Sequence, residues 1–155
     1  MKTIKIKDNE EVIIRRVTLK DLAIVFEIEK LSFRDPYPLD LLHTLAILNN
    51  ETFLVAVHNE KVVGYVIGTL RWDIVGHIIN IAVHPDFRGR GIGKALMIEV
   101  MKELRRKGAK IFRLEVRVSN VVAQKLYESL GFRKSYTIPN YYSDGEACYV
   151  MFKRD

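Results

Sequence analysis

Ile74-Val75-Gly76-His77-Ile78-Ile79-Asn80-Ile81-Ala82-Val83 runs through His84-Pro85-Asp86-Phe87 into Arg88-Gly89-Arg90-Gly91-Ile92-Gly93, and the hydrophobic period changes across that junction. The first run is β-branched and reads as a strand. Beyond the glycines, Ile92, Leu96, Val100 and Leu104 recur every four residues, and Ala95, Met97 and Met101 widen the same face. That is an amphipathic helix, which Gly108 ends. The succession is strand, glycine-rich turn, helix. Such a turn lets backbone amides approach an anion without obstruction by Cβ, and the helix start adds free N–H groups and a positive dipole end. Arg88, Arg90 and Lys94 add charge at its mouth. The stretch describes a diphosphate cradle; the plainer alternative is a flexible Arg-Gly turn that only starts a helix. No Gly-Lys-Ser/Thr follows the glycines, which excludes a P-loop, and the GxGxG spacing fits a dinucleotide fingerprint poorly.

Working outward, residues 12–17 form a strand, and Thr18 with Asp21 reads as a helix start. Leu22, Phe26, Glu29 and Phe33 give an apolar helical stripe interrupted by Glu29, and Arg34-Asp35-Pro36-Tyr37-Pro38 ends it. A short helix covers 39–49. Strands at 52–57 and 62–70 flank the turn His58-Asn59-Glu60-Lys61 as a hairpin. Residues 111–118 form another strand. A helix capped by Ser119 or Asn120 follows, carries Ala123, Leu126 and Leu130 inward and stops at Gly131. Strands at 132–138 and 146–153 close the chain. This order predicts an α/β fold: a mixed sheet with helices on both faces, its parallel strands supplied by two βαβ passages.

The chain has 155 residues, which fits one domain over 1–155 with a sizeable core. Apolar residues make up 48% and charged residues 28%, a globular balance rather than a disordered one. The single Cys148 excludes an internal disulfide framework, and no apolar run is long enough for an ordinary transmembrane helix. The basic start Met1-Lys2 is followed by no apolar core or cleavage site, so the cytoplasm is the expected location. A net charge of +6, concentrated in 88–110, favours an anionic partner. The spacing of His43, His58, His77 and His84 suits no metal site, and no nucleic-acid reader motif is present.

Three further motifs stand in order: Leu114-Glu115-Val116-Arg117-Val118-Ser119-Asn120, then Leu126-Tyr127-Glu128-Ser129-Leu130-Gly131-Phe132, then Asn140-Tyr141-Tyr142 with Asp144-Gly145-Glu146. Together with Arg88-x-x-Gly91-x-Gly93 they resemble the GCN5-related N-acetyltransferases. Within that superfamily the chain is most similar to the protein N-terminal acetyltransferases: the bacterial RimI type, its archaeal relatives and the NatA catalytic subunit. The resemblance covers about residues 12–153. It implies the GNAT fold, a mixed, mostly antiparallel seven-stranded sheet splayed between strands 4 and 5 (here ending at Val83 and covering 111–118), with acyl-CoA in the opening. It also implies acetyl transfer from acetyl-CoA to protein or peptide N-termini, ribosomal proteins among them, with no metal, nucleic acid or membrane involved. Lysine, a polyamine or another small amine is the alternative acceptor. Monomer and weak homodimer both stay open.

For the cofactor, the resemblance implies backbone contacts along Ile81, Ala82 and Val83, a pyrophosphate site across Arg88, Gly89, Arg90, Gly91, Ile92, Gly93 and Lys94, and side-chain contacts from Asn120 and Tyr127. Direct acetyl transfer needs a neutral amine, a donor for the oxyanion and a hydrogen bond or proton for the thiolate. In 111–118 the even positions are apolar, so Glu115 points to the opposite face. The resemblance makes it the general base, acting through water. His77, read as sharing a strand face with Ile79, Ile81 and Val83, is the second candidate for proton acceptance, with a packed core histidine as the plainer reading; the resemblance sets Tyr127 beside the thiolate, with an aromatic anchor between helix and sheet as its plainer reading. Asp35, Tyr37, Tyr141 and Tyr142 fall in the implied peptide-holding loops, although Asp35 stands where relatives carry glutamate. Ordinary packing between Ala147 and Tyr149 accounts for Cys148.

Overall fold

The computed structural model describes residues 1–155. Eight strands and four α-helices follow in the order β1 (Lys2–Lys5), β2 (Glu11–Arg16), α1 (Leu22–Ser32), α2 (Leu39–Leu48), β3 (Phe53–His58), β4 (Lys61–Arg71), β5 (Val75–Val83), α3 (Ile92–Arg106), β6 (Ile111–Arg117), α4 (Val121–Ser129), β7 (Arg133–Ile138) and β8 (Cys148–Arg154). They form one sheet in the order β1-β2-β3-β4-β5-β6-β8-β7. The eighth strand is β1, which pairs with β2 from Lys2↔Ile14 to Lys5↔Glu11. Alternating lysines suit an exposed edge, and Ile4 and Ile6 pack against the core.

Only β5 and β6 pair in parallel. The second βαβ passage does not make neighbours: β8 inserts between β6 and β7 and is antiparallel to both. The β5–β6 pairing covers only Val75–His77 against Ile111–Arg113, after which the two strands diverge. This is the predicted splay; β1 moves its count from strands 4 and 5 to strands 5 and 6.

Strand alternation feeds two cores. Leu96, Val100 and Leu104 of α3 bury against Leu54, Val66, Phe112 and Leu114 on one face. Leu22, Val25 and Ile28 of α1 with Leu42 of α2 bury against Phe53, Val55, Tyr65 and Ile67 on the other. With both faces covered, a carboxylate in the central strands lies out of bulk water.

A bulge in β5 corrects the strand-face expectation for His77. Ile67 of β4 pairs with Asn80, but the next residue, Gly68, pairs with Ile78, so Ile79 is the extra residue. One added residue switches the alternation. Ile81 and Val83 therefore pack toward α3, whereas Asn80 and Ala82 face α1. His77 shares its face with neither Ile81 nor Val83; it lies on the α1 side with Glu115.

Candidate active site

A cavity of about 200 Å³ opens where β5 and β6 separate. Ile78–Ile81 and Leu114–Arg117 form its two walls, and Ser32–Arg34, Asn120, Ala123, Tyr127 and Tyr142 complete it. From Ile78 to Val83, β5 has no strand partner on its β6 side, which leaves its backbone edge unpaired there except at the Val83 carbonyl, taken by Arg88 Nε. The splay also joins the two faces of the sheet: Glu115 enters from the α1 side, and Tyr127 belongs to the core under α3.

Glu115 is held at both oxygens. Nε2 of His77 lies 2.8 Å from Oε1, and Nε of Arg113 donates to Oε2 at 2.8 Å. Burial pushes the Glu115 carboxyl up, but the hydrogen bonds and positive charge beside it outweigh burial and hold it below its ordinary range. His77 itself does not line the cavity; it stands behind Glu115. Tyr127 is buried, its ring edge-on to Phe132 at 6.2 Å. Burial alone pushes its phenol up to about 12, so it keeps its proton at neutral pH.

The glycine turn has the backbone that its composition suggested. Gly89 and Gly91 take φ of +77° and +92°, Gly91 is the N-cap of α3, and a Cβ at either position would project into open space. Arg88 folds back onto the Val83 carbonyl (2.9 Å) and Ser32 Oγ (3.1 Å). Arg90 packs over Phe87 and reaches Glu10 at 3.4 Å, while its carbonyl accepts from Lys7 N–H. The N-terminal segment thus braces the turn. Lys94 is exposed, and the side chains of Ala82 and Ile92 are in the two cores, leaving only their backbone for a ligand. Asn120 Oδ1 caps α4 through Ala123 N–H (3.1 Å) while lining the cavity.

Amides at the start of α3, a strand edge unpaired toward β6 and a cavity beside that edge fit an extended pyrophosphate-bearing thioester. We expect Gly91→Val, which places a β-branched residue at positive φ, to weaken acetyl-CoA binding about tenfold or more in isothermal titration. Unchanged affinity in the folded variant would contradict this cradle.

The two loops at the cavity mouth are joined. Arg34 Nη1 meets Asp144 at 3.2 Å, and the Ser143 hydroxyl donates to Asp35, so the Asp35 carboxylate is engaged by the opposite loop. Arg117 reaches Asp144 and Glu146 and lies 4.0 Å over the Tyr142 ring. Tyr141 and Tyr142 pack edge-to-face at 4.9 Å. Burial raises the phenols of Tyr37 and Tyr141; negative charge raises them further, that of Glu29 and then Glu115 at Tyr37 and that of Glu115 at Tyr141.

Sequence reasoning missed Glu29, reading it as an interruption of an apolar stripe. It is 1% exposed and accepts hydrogen bonds from the Tyr65 hydroxyl, Asn80 Nδ2 (2.7 Å) and the Tyr37 backbone N–H (2.9 Å). Burial pushes its carboxyl up; these three donors only partly offset that. Glu29 thus ties α1, β4 and β5 to the loop carrying Tyr37. An acid inside an apolar stripe was the available signal. We expect Glu29→Ala, which strands buried donors, to cost about 3 kcal/mol, or roughly 6–12 °C in Tm, by thermal unfolding. A change below about 1 °C would show that the network adds no stability.

Residues 22–132 match the model of the acetyltransferase (GNAT) family. The chain is 40% identical to an uncharacterized N-acetyltransferase of Methanocaldococcus jannaschii over 143 residues, covering 92% of this chain and 91% of that one. It is 33% identical to an N-alpha-acetyltransferase of Sulfurisphaera tokodaii, covering 94% of each. The crystal structure of Ard1 from Thermoplasma volcanium superposes with a TM-score of 0.89 at 32% identity, covering 92% of this chain and 97% of that one. The chain belongs to the GNAT acetyltransferase family.

Proposed function

We infer that this enzyme transfers the acetyl group of acetyl-CoA directly to the free α-amine of a protein or peptide N-terminus. The observation that carries the reading is the Glu115 carboxylate. It is fixed at both oxygens, faces the splay, and has Tyr127 in the same cavity and the paired tyrosine loops at its mouth. The amine nitrogen attacks the thioester carbonyl, so a C–N bond forms and the C–S bond breaks. The amine proton passes, through water, to Glu115 and then to solvent; the departing sulfur takes a hydrogen bond from the Tyr127 phenol. The backbone N–H of Val83 is the donor assigned to the oxyanion.

Glu115 is a weak base, because its neighbours stabilise the carboxylate. A weak base favours an acceptor that is already partly neutral. An α-amine has a reference pKa of about 7.7–8.0 and lysine about 10.4, so at pH 7 the α-amine is neutral roughly several hundred times more often. Tyr37, Tyr141 and Tyr142 are assigned to the first residues of the peptide, with Asp35 acting through its hold on the opposite loop. Ribosomal proteins are among the acceptors that the likeness to RimI-type enzymes implies. No helix is long and apolar enough to cross a membrane. The test is a panel of peptides beginning with Ala, Ser, Thr or Met, incubated with acetyl-CoA and the purified protein. At least one N-terminal class should be acetylated at the α-amine; lysine-only or small-amine-only products would overturn the reading.

A further inference from the structure

Arg71, His77 and Glu115 form a row across three adjacent strands on the α1 face of the sheet. Arg71 at the end of β4 pairs with Val75, and Thr69 pairs with His77, which makes Arg71 and His77 diagonal neighbours. His77 pairs with Arg113 on β6, and Glu115 is two residues further along the same face. Diagonal pairs lie within reach of long side chains. Arg71 Nε is 2.9 Å from His77 Nδ1, and His77 Nε2 is 2.8 Å from Glu115 Oε1.

The chemistry of the first contact fixes that of the second. A guanidinium Nε–H can only donate, so the Nδ1 that accepts it holds a lone pair and no hydrogen. The remaining ring hydrogen is then on Nε2, pointing at Glu115. A ring in this state has no free nitrogen with which to take the amine proton: one lone pair is committed to Arg71, and the other nitrogen already bears hydrogen. The charged groups around His77 are Arg71 on β4 and Arg113 and Glu115 on β6.

We propose that Arg71 is a positioning residue that holds His77 Nδ1 as an acceptor, so that with the Glu115 carboxylate on Nε2 the ring stays in its Nε2–H form and serves as a fixed hydrogen-bond donor to Glu115 rather than a second proton acceptor. The proposal deepens the acetyl-transfer reading and rests on Glu115 as its base. Arg71 and His77 act only through Glu115: they set the direction in which its free lone pairs face the cavity.

The test combines nitrogen NMR of histidine-labelled full-length protein at pH 7.5 with steady-state kinetics on a peptide substrate. Wild-type His77, assigned by its loss in His77→Gln, should show a single Nε2–H tautomer. In Arg71→Ala the Glu115 carboxylate still demands hydrogen on Nε2, so the Nδ1 signal should shift as that nitrogen loses its donor and becomes free to take a second hydrogen, with kcat falling about tenfold for one lost charge-assisted hydrogen bond and the acetyl-CoA KM unchanged. Arg71→Lys, which restores a donor, should recover part of both signals. His77→Gln, whose amide can donate from nearly the same place but accepts no proton, should keep more of the rate than His77→Ala. On a Glu115→Gln background, Arg71→Ala should change kcat no further. An Nδ1–H tautomer in the wild type, or an Arg71→Ala variant with unaltered Nδ1 signal and kcat, would overturn the proposal. So would His77→Gln falling as far as His77→Ala. The tautomer measurement uses no acceptor, so its result is independent of whether the acceptor is an α-amine.

Discussion

Glu115→Gln should bind acetyl-CoA as the wild type does while its single-turnover acetyl transfer falls roughly 10²–10⁴-fold. The substitution keeps size and one acceptor oxygen but removes the base from the cavity. It also unsettles the carboxylate's two partners, His77 and Arg113, which both lie within 2.8 Å of it. The same change has a stability signature with a defined sign. Neighbouring donors hold the folded Glu115 carboxyl below its ordinary range. Its ionisation therefore stabilises the fold at neutral pH, and that contribution disappears as pH falls through the folded value. Glu115→Gln should be less stable than wild type at pH 7, and the gap should close below about pH 4. A variant with the wild-type rate and pH profile would make Glu115 a structural carboxylate.

Tyr127→Phe should lower kcat about 10²-fold with little change in KM or Tm. The ring packs against Phe132 in the core, and phenylalanine keeps that packing. Only the hydroxyl is lost. Burial without a stabilising partner pushes the phenol to about 12, so at working pH it is a proton-bearing donor, suited to meet negative charge developing on sulfur. The expected loss is therefore in the chemical step, visible in single-turnover measurements. Equal kcat in both proteins would assign Tyr127 to packing alone.

What the sequence made legible was local. The strand, glycine turn and helix over 74–106 could be read because each signal lies within a few residues of the next, and the positive φ values at Gly89 and Gly91 follow directly. The alternation in 111–117 put Glu115 opposite Leu114 and Val116, and the structure agrees. The missing information was relational. Nothing in the order of elements says that β8 lies between β6 and β7, since that pairing depends on competition among distant strands. The extra residue at Ile79 carries no composition signal, yet it moves Ile81 and Val83 away from the face that holds His77. Glu29 shows the same limit: its partners Tyr65 and Asn80 lie 36 and 51 residues away in the chain. The charge of Arg71 was visible, but its meaning depends on the β4–β5 register that sets it beside His77.

The central claim is tested most directly by one peptide that carries both a free N-terminus and an internal lysine. It is incubated with acetyl-CoA and the wild-type enzyme near pH 7, and the acetyl group is then located by fragment mass spectrometry. The account predicts product at the α-amine, formed about 10²-fold faster than at lysine, in line with the neutral fractions of the two amines. Acetylation of lysine at an equal or greater rate would contradict it.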